Sequence, residues 1–496
     1  MKYTISKWLT AGFLVAGLNG CTKDYLDIND DPNNPTESSV ELALPTALGY
    51  SAYNLGNAYQ ILGGLWGQYW TQGPTASQYR SLDQYSVTSS DYDRQWESVY
   101  SGPLADFRYI VDEGTRTGQV NYVAIGKIMQ AYMFQVMTDL QGDIPFSESL
   151  NGAANTKPKF DTQEEIYNGL IVLLDDALGM IDEGAASPGD DDYFFHGDMH
   201  LWTKFANTLK LKIYLRQAYV RPSVAEAGIR AMYTAGSEFL DIGEDAYVPF
   251  NNEVFNQNPL YATYEALTSD NLIASRTIVT YLQATADPRI GVYYARATAA
   301  PNTGNFVGII QGEGPNLPGA QNANSYSKPG PAVGGPGSTG NTGAAAPVFF
   351  ISAAESYFLQ AEAVARGWGD GDAQSLYENG IFASFYFWGL SEDDYNAFIG
   401  EPLVKFPVSG EEAQVQQIIT QKWVSLSGTE NLEGWTEWRR TGYPSFFTIS
   451  TTSSIGNFFP VRILYADSEV TRNPNTPSQK TVKDKVWWDV NTSGQN

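Results

Sequence analysis

The stretch that decides the fold is Ser352-Ala353-Ala354-Glu355-Ser356-Tyr357-Phe358-Leu359-Gln360-Ala361-Glu362-Ala363, with the turn Gly367-Trp368-Gly369-Asp370-Gly371-Asp372 and the run Ala373 to Phe387 after it. Apolar residues at Ala354, Tyr357, Phe358, Ala361 and Val364 recur at the helical period, so Phe350 to Ala365 is expected to be a helix. The Gly/Asp turn ends it, and Ala373 to Phe387 is expected to return as a second helix. Small residues facing aromatic ones let two such helices approach closely, the packing logic of tetratricopeptide repeats.

The same period recurs on both sides of this pair. Ile125, Ile128, Met129, Tyr132 and Val136 mark a helix within Asn121 to Met137. Ile166, Leu170, Leu173, Leu174 and Leu178 mark another from Thr162 to Ile181, capped by Asp161 or Thr162 with Glu164 and Glu165 in its first turn. Phe205, Leu209, Ile213 and Leu215 place a third in Trp202 to Tyr219. Val415, Ile418, Ile419 and Trp423 place a fourth in Glu411 to Leu426. Successive helices joined by short Gly/Asp/Pro turns predict stacked pairs without a strict 34-residue period. Residues 301–346 interrupt them: 17 of the 46 are Gly or Pro, and only Glu313 and Lys328 are charged. The expectation there is an irregular insertion, a candidate surface for a ligand or partner.

The chain has 496 residues, 43% hydrophobic and 14% aromatic, enough for a large core. Thirty basic against 55 acidic residues leave a net charge of −25, which argues against nucleic-acid binding. Two histidines and one cysteine leave little for a metal centre, a cysteine protease or a disulfide scaffold. His196 and His200 read as a turn entering the Trp202 helix rather than a metal pair. Asp370-Gly371-Asp372 lacks the distal ligands of an EF-hand. No GxSxG, P-loop or GxGxxG pattern occurs, and no carboxylate pair can be singled out among so many, so no catalytic residue is expected. No cofactor or metal is expected either, although structural calcium stays open.

At the N-terminus, Lys2 and Lys7 precede the apolar run Leu9 to Leu18, too short to span a bilayer, which ends Leu18-Asn19-Gly20-Cys21. That ending resembles a bacterial lipobox, with the sole cysteine at the lipid-carrying position. The expected organisation is a lipoprotein signal peptide over 1–20, a lipid-anchored leader over 21–36 and one domain over 37–496, soluble but tethered.

Exposed aromatics are the remaining resource. Trp66-Gly67-Gln68-Tyr69-Trp70-Thr71-Gln72-Gly73-Pro74-Thr75-Ala76-Ser77-Gln78-Tyr79-Arg80, followed by Tyr85 and Tyr92, mixes rings with amides. Rings can stack on the C–H face of a pyranose while Gln, Asn and Arg meet its hydroxyls; the same groups suit a peptide, or packing between helices. Trp96 and Tyr100 read as core. In Trp435-Thr436-Glu437-Trp438-Arg439-Arg440, a buried Arg–Glu network against Trp is the more common meaning.

Taken in order, several motifs resemble the SusD/RagB family of nutrient-binding outer-membrane lipoproteins. They are the Cys21 lipobox with Asp31-Pro32-Asn33, Gly142-Asp143-Ile144-Pro145-Phe146-Ser147-Glu148, and Gly197-Asp198 with Trp202-Thr203-Lys204-Phe205-Ala206-Asn207-Thr208-Leu209-Lys210. Asp287-Pro288-Arg289, Ala361-Glu362-Ala363, Tyr377 to Phe385 and Glu437-Trp438-Arg439-Arg440-Thr441-Gly442-Tyr443-Pro444 continue the series. The resemblance implies a mainly α fold, with a tetratricopeptide-like scaffold and an irregular, loop-rich ligand-binding part. It implies no catalysis, and a lipid-anchored, surface-exposed outer-membrane protein that lids a SusC-like TonB-dependent transporter. Its ligand would be an oligosaccharide or, in some members, a peptide; a lipid-anchored glycan hydrolase is a more distant alternative. By region only, the resemblance points to ligand contacts from Trp66, Tyr69, Trp70, Gln78, Tyr79, Arg80, Tyr85, Tyr293, Tyr294, Asn324 and Tyr326.

Overall fold

Helical hairpins built on short turns dominate the computed structural model, which describes residues 38–317, 322–336 and 342–490. The expected signal peptide, leader and Cys21 lie outside the described residues. Pro103–Thr117 packs on Val120–Gln141, Gln163–Met180 on Met199–Arg216, Ala353–Ala365 on Ala373–Phe387, and Glu411–Ser425 on Asn431–Thr441. Six of these helices lie where the periodicity places them, with ends shifted by a few residues; the Ala353–Ala365 hairpin is the pair expected from the sequence, and the helices Pro103–Thr117 and Asn431–Thr441 are additions. Thr162 and Glu165 form a reciprocal capping box that starts the Gln163–Met180 helix, and the Asp372 side chain caps Ala373–Phe387. At Gly380 an added Cβ would stand 2.9 Å from the Phe358 ring, so only glycine lets this hairpin close.

The hairpins are joined by buried charge. Arg440 donates to Glu362 (2.6 Å) and Glu437 (2.7 Å), Arg216 to Glu433 (2.7 Å), and Lys422 and Lys212 each approach Glu355 at 3.1 Å. Four helices from three hairpins thereby share one ion network, with Arg439 at 3.8 Å from the Trp435 ring. Burial alone would raise the Glu433 carboxyl, but Arg216, Lys212 and Lys422 outweigh it and hold it at about 2. Glu430 goes the other way: burial, then repulsion from Glu355, pushes its carboxyl well up. The two acids and Lys212 line a cavity of about 40 Å³ with Tyr132, Phe349 and Phe350.

The irregular part is packed rather than loose. Trp70–Gln72 pairs antiparallel with Leu272–Ala274. The insertion docks on this ribbon: the Ile309 amide donates to the Ala274 carbonyl, and the Arg276 and Ala274 amides donate to Ile309 and Ser327. Gln311 Nε2 donates to the carbonyls of Leu65 and Trp70. Single 3₁₀ turns at Gly314–Asn316, Ala323–Ser325 and Pro331–Val333 take up the glycine- and proline-rich stretches. Ala246–Val248 pairs with Val348–Ile351, so the expected start of a helix at Phe350 is a strand instead, and the helix begins at Ala353.

Candidate functional site

The predicted aromatic stretch is interior, and this corrects the sequence reading. Trp66 and Trp70 are 3% and 0% exposed. Trp66 donates from Nε1 to the Leu82 carbonyl and sits edge-on to Trp435 at 5.0 Å. Tyr69 stacks on Trp423 at 5.3 Å and donates to its carbonyl. The Tyr85 hydroxyl accepts from the Ser450 amide, Tyr293 is buried, and Tyr294 donates to the Tyr69 carbonyl. The physical reason is the same throughout: a ring with a polar tip is as well served by a buried carbonyl as by a sugar hydroxyl. Trp96 is buried and Arg439-Arg440 form the inner network, as the sequence suggested.

Five of the predicted residues keep some access. Gln78 and Tyr79 line a polar hollow of about 250 Å³ with Asn57, Ser81, Asp91 and Gln95. Burial pushes the Tyr79 hydroxyl up to about 12, so it stays protonated. Asn57 is brought there by a π-helical turn, Leu55–Tyr59, in the first long helical run. Asn324 is exposed and accepts from Lys328, which also donates to Asp270 (2.7 Å). Tyr326 is half-buried against the Ile273–Ile309–Ala323 cluster. Arg80 turns back: its Nη2 donates to the Ala76 carbonyl at 3.3 Å.

The outward-facing ring surface lies elsewhere. Tyr281 and Phe446 stack at 5.4 Å with planes 19° apart, in a hollow of about 370 Å³ completed by Arg276, Thr277, Thr280, Ala284, Ile310 and Thr448. Phe446 is 40% exposed, and Trp423 braces both rings edge-on from behind. The helix Arg276–Ala284 supplies one wall by its spacing: Arg276, Thr280 and Ala284 share one stripe, with Thr277 and Tyr281 beside it. Its other face buries Ile278, Val279 and Leu282. Tyr281 is fixed by the Gln421 amide donating to its hydroxyl (3.0 Å), and burial pushes that hydroxyl up to about 12. Arg276 Nη2 lies 3.5 Å from Glu313 Oε2 at the rim. The buried stretch holds this hollow in place, since its Gln68 accepts from Thr277 and donates to the Thr448 carbonyl, both at 2.6 Å.

A further hollow of about 410 Å³ lies beside Trp96, Tyr100 and Arg472, but its rings are tilted together at 4.6 Å and Trp96 is 4% exposed, so it presents edges rather than a face. Sequence reasoning missed Tyr281 and Phe446. The available signs were an aromatic beside the polar stripe of a short amphipathic helix, and the doublet Phe446-Phe447 after Tyr443-Pro444. Among the described residues no group of three His, Cys, Asp or Glu side chains is placed to hold a metal ion.

A hairpin-stacked helical body carrying ligand hollows in its irregular part defines a binding protein. A family model for SusD-like proteins, described as starch-binding and associating with the outer membrane, matches residues 32–466. The chain belongs to this SusD-like family of outer-membrane-associated nutrient-binding proteins, which bind rather than catalyse. Solved structures share the fold. A chitin-binding SusD homolog from Flavobacterium johnsoniae has a TM-score of 0.74 at 23% identity, over 92% of this chain and 99% of that one. A SusD homolog from Bacteroides uniformis has a TM-score of 0.76 at 23% identity, over 90% and 99%. A chitin-binding protein has a TM-score of 0.76 at 24% identity, over 91% and 99%. A comparison with curated protein sequences finds no match. Among the described residues no helix is long and apolar enough to cross a membrane.

Proposed function

We propose that the protein captures neutral oligosaccharides at the outer surface of the outer membrane and delivers them, unaltered, to a SusC-like TonB-dependent transporter. Acyl chains on Cys21 hold it at the membrane, and tethering raises the ligand concentration at the transporter, so modest affinity suffices. The carrying observation is the outward-facing Tyr281–Phe446 stack, a flat apolar platform with the hydroxyls of Thr280 and Thr448 and the Arg276 guanidinium around it. Relatives of the same fold described as chitin-binding put a glycan ahead of a peptide as the ligand. The reading calls for no cofactor.

Titrating the protein with a panel of neutral oligosaccharides and a panel of peptides tests the ligand class, with chromatography of the recovered ligand. Saturable binding of an oligosaccharide recovered intact is expected. Peptide binding without glycan binding redirects the reading to peptides, and shortened glycan products overturn the non-catalytic role. Co-purification of the transporter on the tagged protein tests the partner.

A further inference from the structure

The hollow beside Phe446 offers more than a platform for a bare sugar ring. Of its eight lining residues, Tyr281, Ala284, Ile310 and Phe446 offer hydrocarbon. Thr277 has spent its hydroxyl on Gln68, and the Thr448 backbone is bound to the same amide on both sides. What remains for a ligand is the hydroxyls of Thr280 and Thr448 and the Arg276 guanidinium, whose one carboxylate neighbour in an ion pair, Glu313, stands 3.5 Å off. Among the described residues none that lines the hollow carries a carboxylate. Arg276, Thr280 and Ala284 are exposed, so a pyranose lying on Phe446 keeps its outer hydroxyls in water, and the apolar floor at Ala284 and Ile310 is left for a substituent of the sugar. A small acyl group meets the walls there: its methyl against Ala284 and Ile310, its carbonyl accepting from Arg276 or Thr280, and the sugar that bears it lying on the two rings.

We propose that the hollow is an acyl pocket, selecting oligosaccharides whose sugar units carry an acetyl group as an ester or an amide. This rests on the glycan reading and adds the chemical class of the ligand. An amine left by removing an N-acetyl group would lose the acyl carbonyl that Arg276 or Thr280 meets and the methyl that Ala284 and Ile310 meet, and an O-deacetylated unit would present a hydroxyl to hydrocarbon.

The test is calorimetric titration of the full chain with matched pairs: an O-acetylated oligosaccharide before and after mild alkaline de-esterification, and an N-acetylated one before and after deacetylation. The acetylated member of at least one pair is expected to bind about tenfold more tightly, the scale of one well-housed apolar group. Which pair shows it tells ester from amide. Ile310→Asn, which puts an amide in the wall, and Ala284→Gln, on an exposed helix end, should each bring the ratio near one while circular dichroism confirms the fold. Equal affinity within both pairs overturns the acyl pocket, as does a preference that survives both substitutions. If binding is equal within pairs yet lost in Phe446→Ala, the glycan reading stands without the acyl pocket. If no member binds, both fail.

Discussion

Truncating Phe446 separates recognition from stability, because Tyr281 and Trp423 hold the ring while part of it stays open to solvent. It is 40% exposed and stacked on Tyr281 at 5.4 Å. A phenylalanine ring carries on the order of 200 Å² of surface, so a ligand covering the exposed part would bury about 80 Å², worth about 2 kcal/mol at ~25 cal/mol per Å². Phe446→Ala should therefore weaken oligosaccharide binding by about thirtyfold. The stacked pair itself is worth ~0.5–1.5 kcal/mol beyond area, and the melting temperature should fall by only a few degrees. Calorimetric titration at two temperatures, paired with thermal unfolding of both proteins, measures the two effects separately. Affinity within twofold of wild type, with an unchanged melting temperature, would refute the assignment of the platform. Loss of binding with a collapsed fold would not, and Phe446→Leu, which keeps hydrocarbon but loses the flat face, then decides: it should fold normally and still bind weakly.

The remaining expectations concern the body and its anchor. Trp66→Ala should act on stability, costing ~3–5 kcal/mol through a buried cavity and the orphaned Leu82 carbonyl, and thermal unfolding should show it; retained stability with lost binding would return Trp66 to the ligand face. Glu433→Gln should cost about 3 kcal/mol at pH 7, because Arg216, Lys212 and Lys422 lose a shared anion. Since the folded carboxyl sits at about 2 and the ordinary value is 4.5, the wild-type advantage should be complete above pH 4.5 and shrink as pH falls towards 2. Glu430→Gln should do the reverse: the folded carboxyl is raised, so wild type should lose stability relative to the variant as pH rises through that raised value, followed by thermal unfolding from pH 5 to about 9. Cys21→Ala should move the protein from the membrane fraction to the soluble one, and unchanged fractionation would remove the lipid anchor from the proposal.

The scaffold was legible because its information is local. Small-residue and aromatic spacing marked both helices of the Ala353–Ala365 and Ala373–Phe387 hairpin, and Thr162 with Glu165 marked a helix start. The dense charge of Glu437-Trp438-Arg439-Arg440 was readable as interior, since guanidinium groups beside rings and carboxylates satisfy one another without water. The strand at Val348–Ile351 was not readable, because a short apolar run next to a helix looks like its first turn until a partner strand is known.

The site was illegible for a different reason. Trp66 to Tyr85 and the Tyr281–Phe446 pair have the same composition, rings beside hydroxyls and amides, and composition does not say which side of a ring the rest of the chain covers. Coverage here is decided by partners remote in sequence: Trp423 and Trp435 fall on Tyr69 and Trp66, and Ser450 on Tyr85. Phe446 escapes because its neighbour Phe447 takes the inward place, packing on Trp438 at 5.1 Å. Phe446 sits in the turn after Pro444, which carries its ring outward while the next residue is anchored inside. The buried stretch still bears on function, because Gln68 ties Thr277 to Thr448 and so sets the distance between the two walls of the hollow. Gln68→Ala should therefore loosen ligand binding without touching any ligand, and rescue by Gln68→Glu should fail, since a carboxylate cannot donate to the Thr448 carbonyl. Full affinity in Gln68→Ala would show that the walls stand apart unaided.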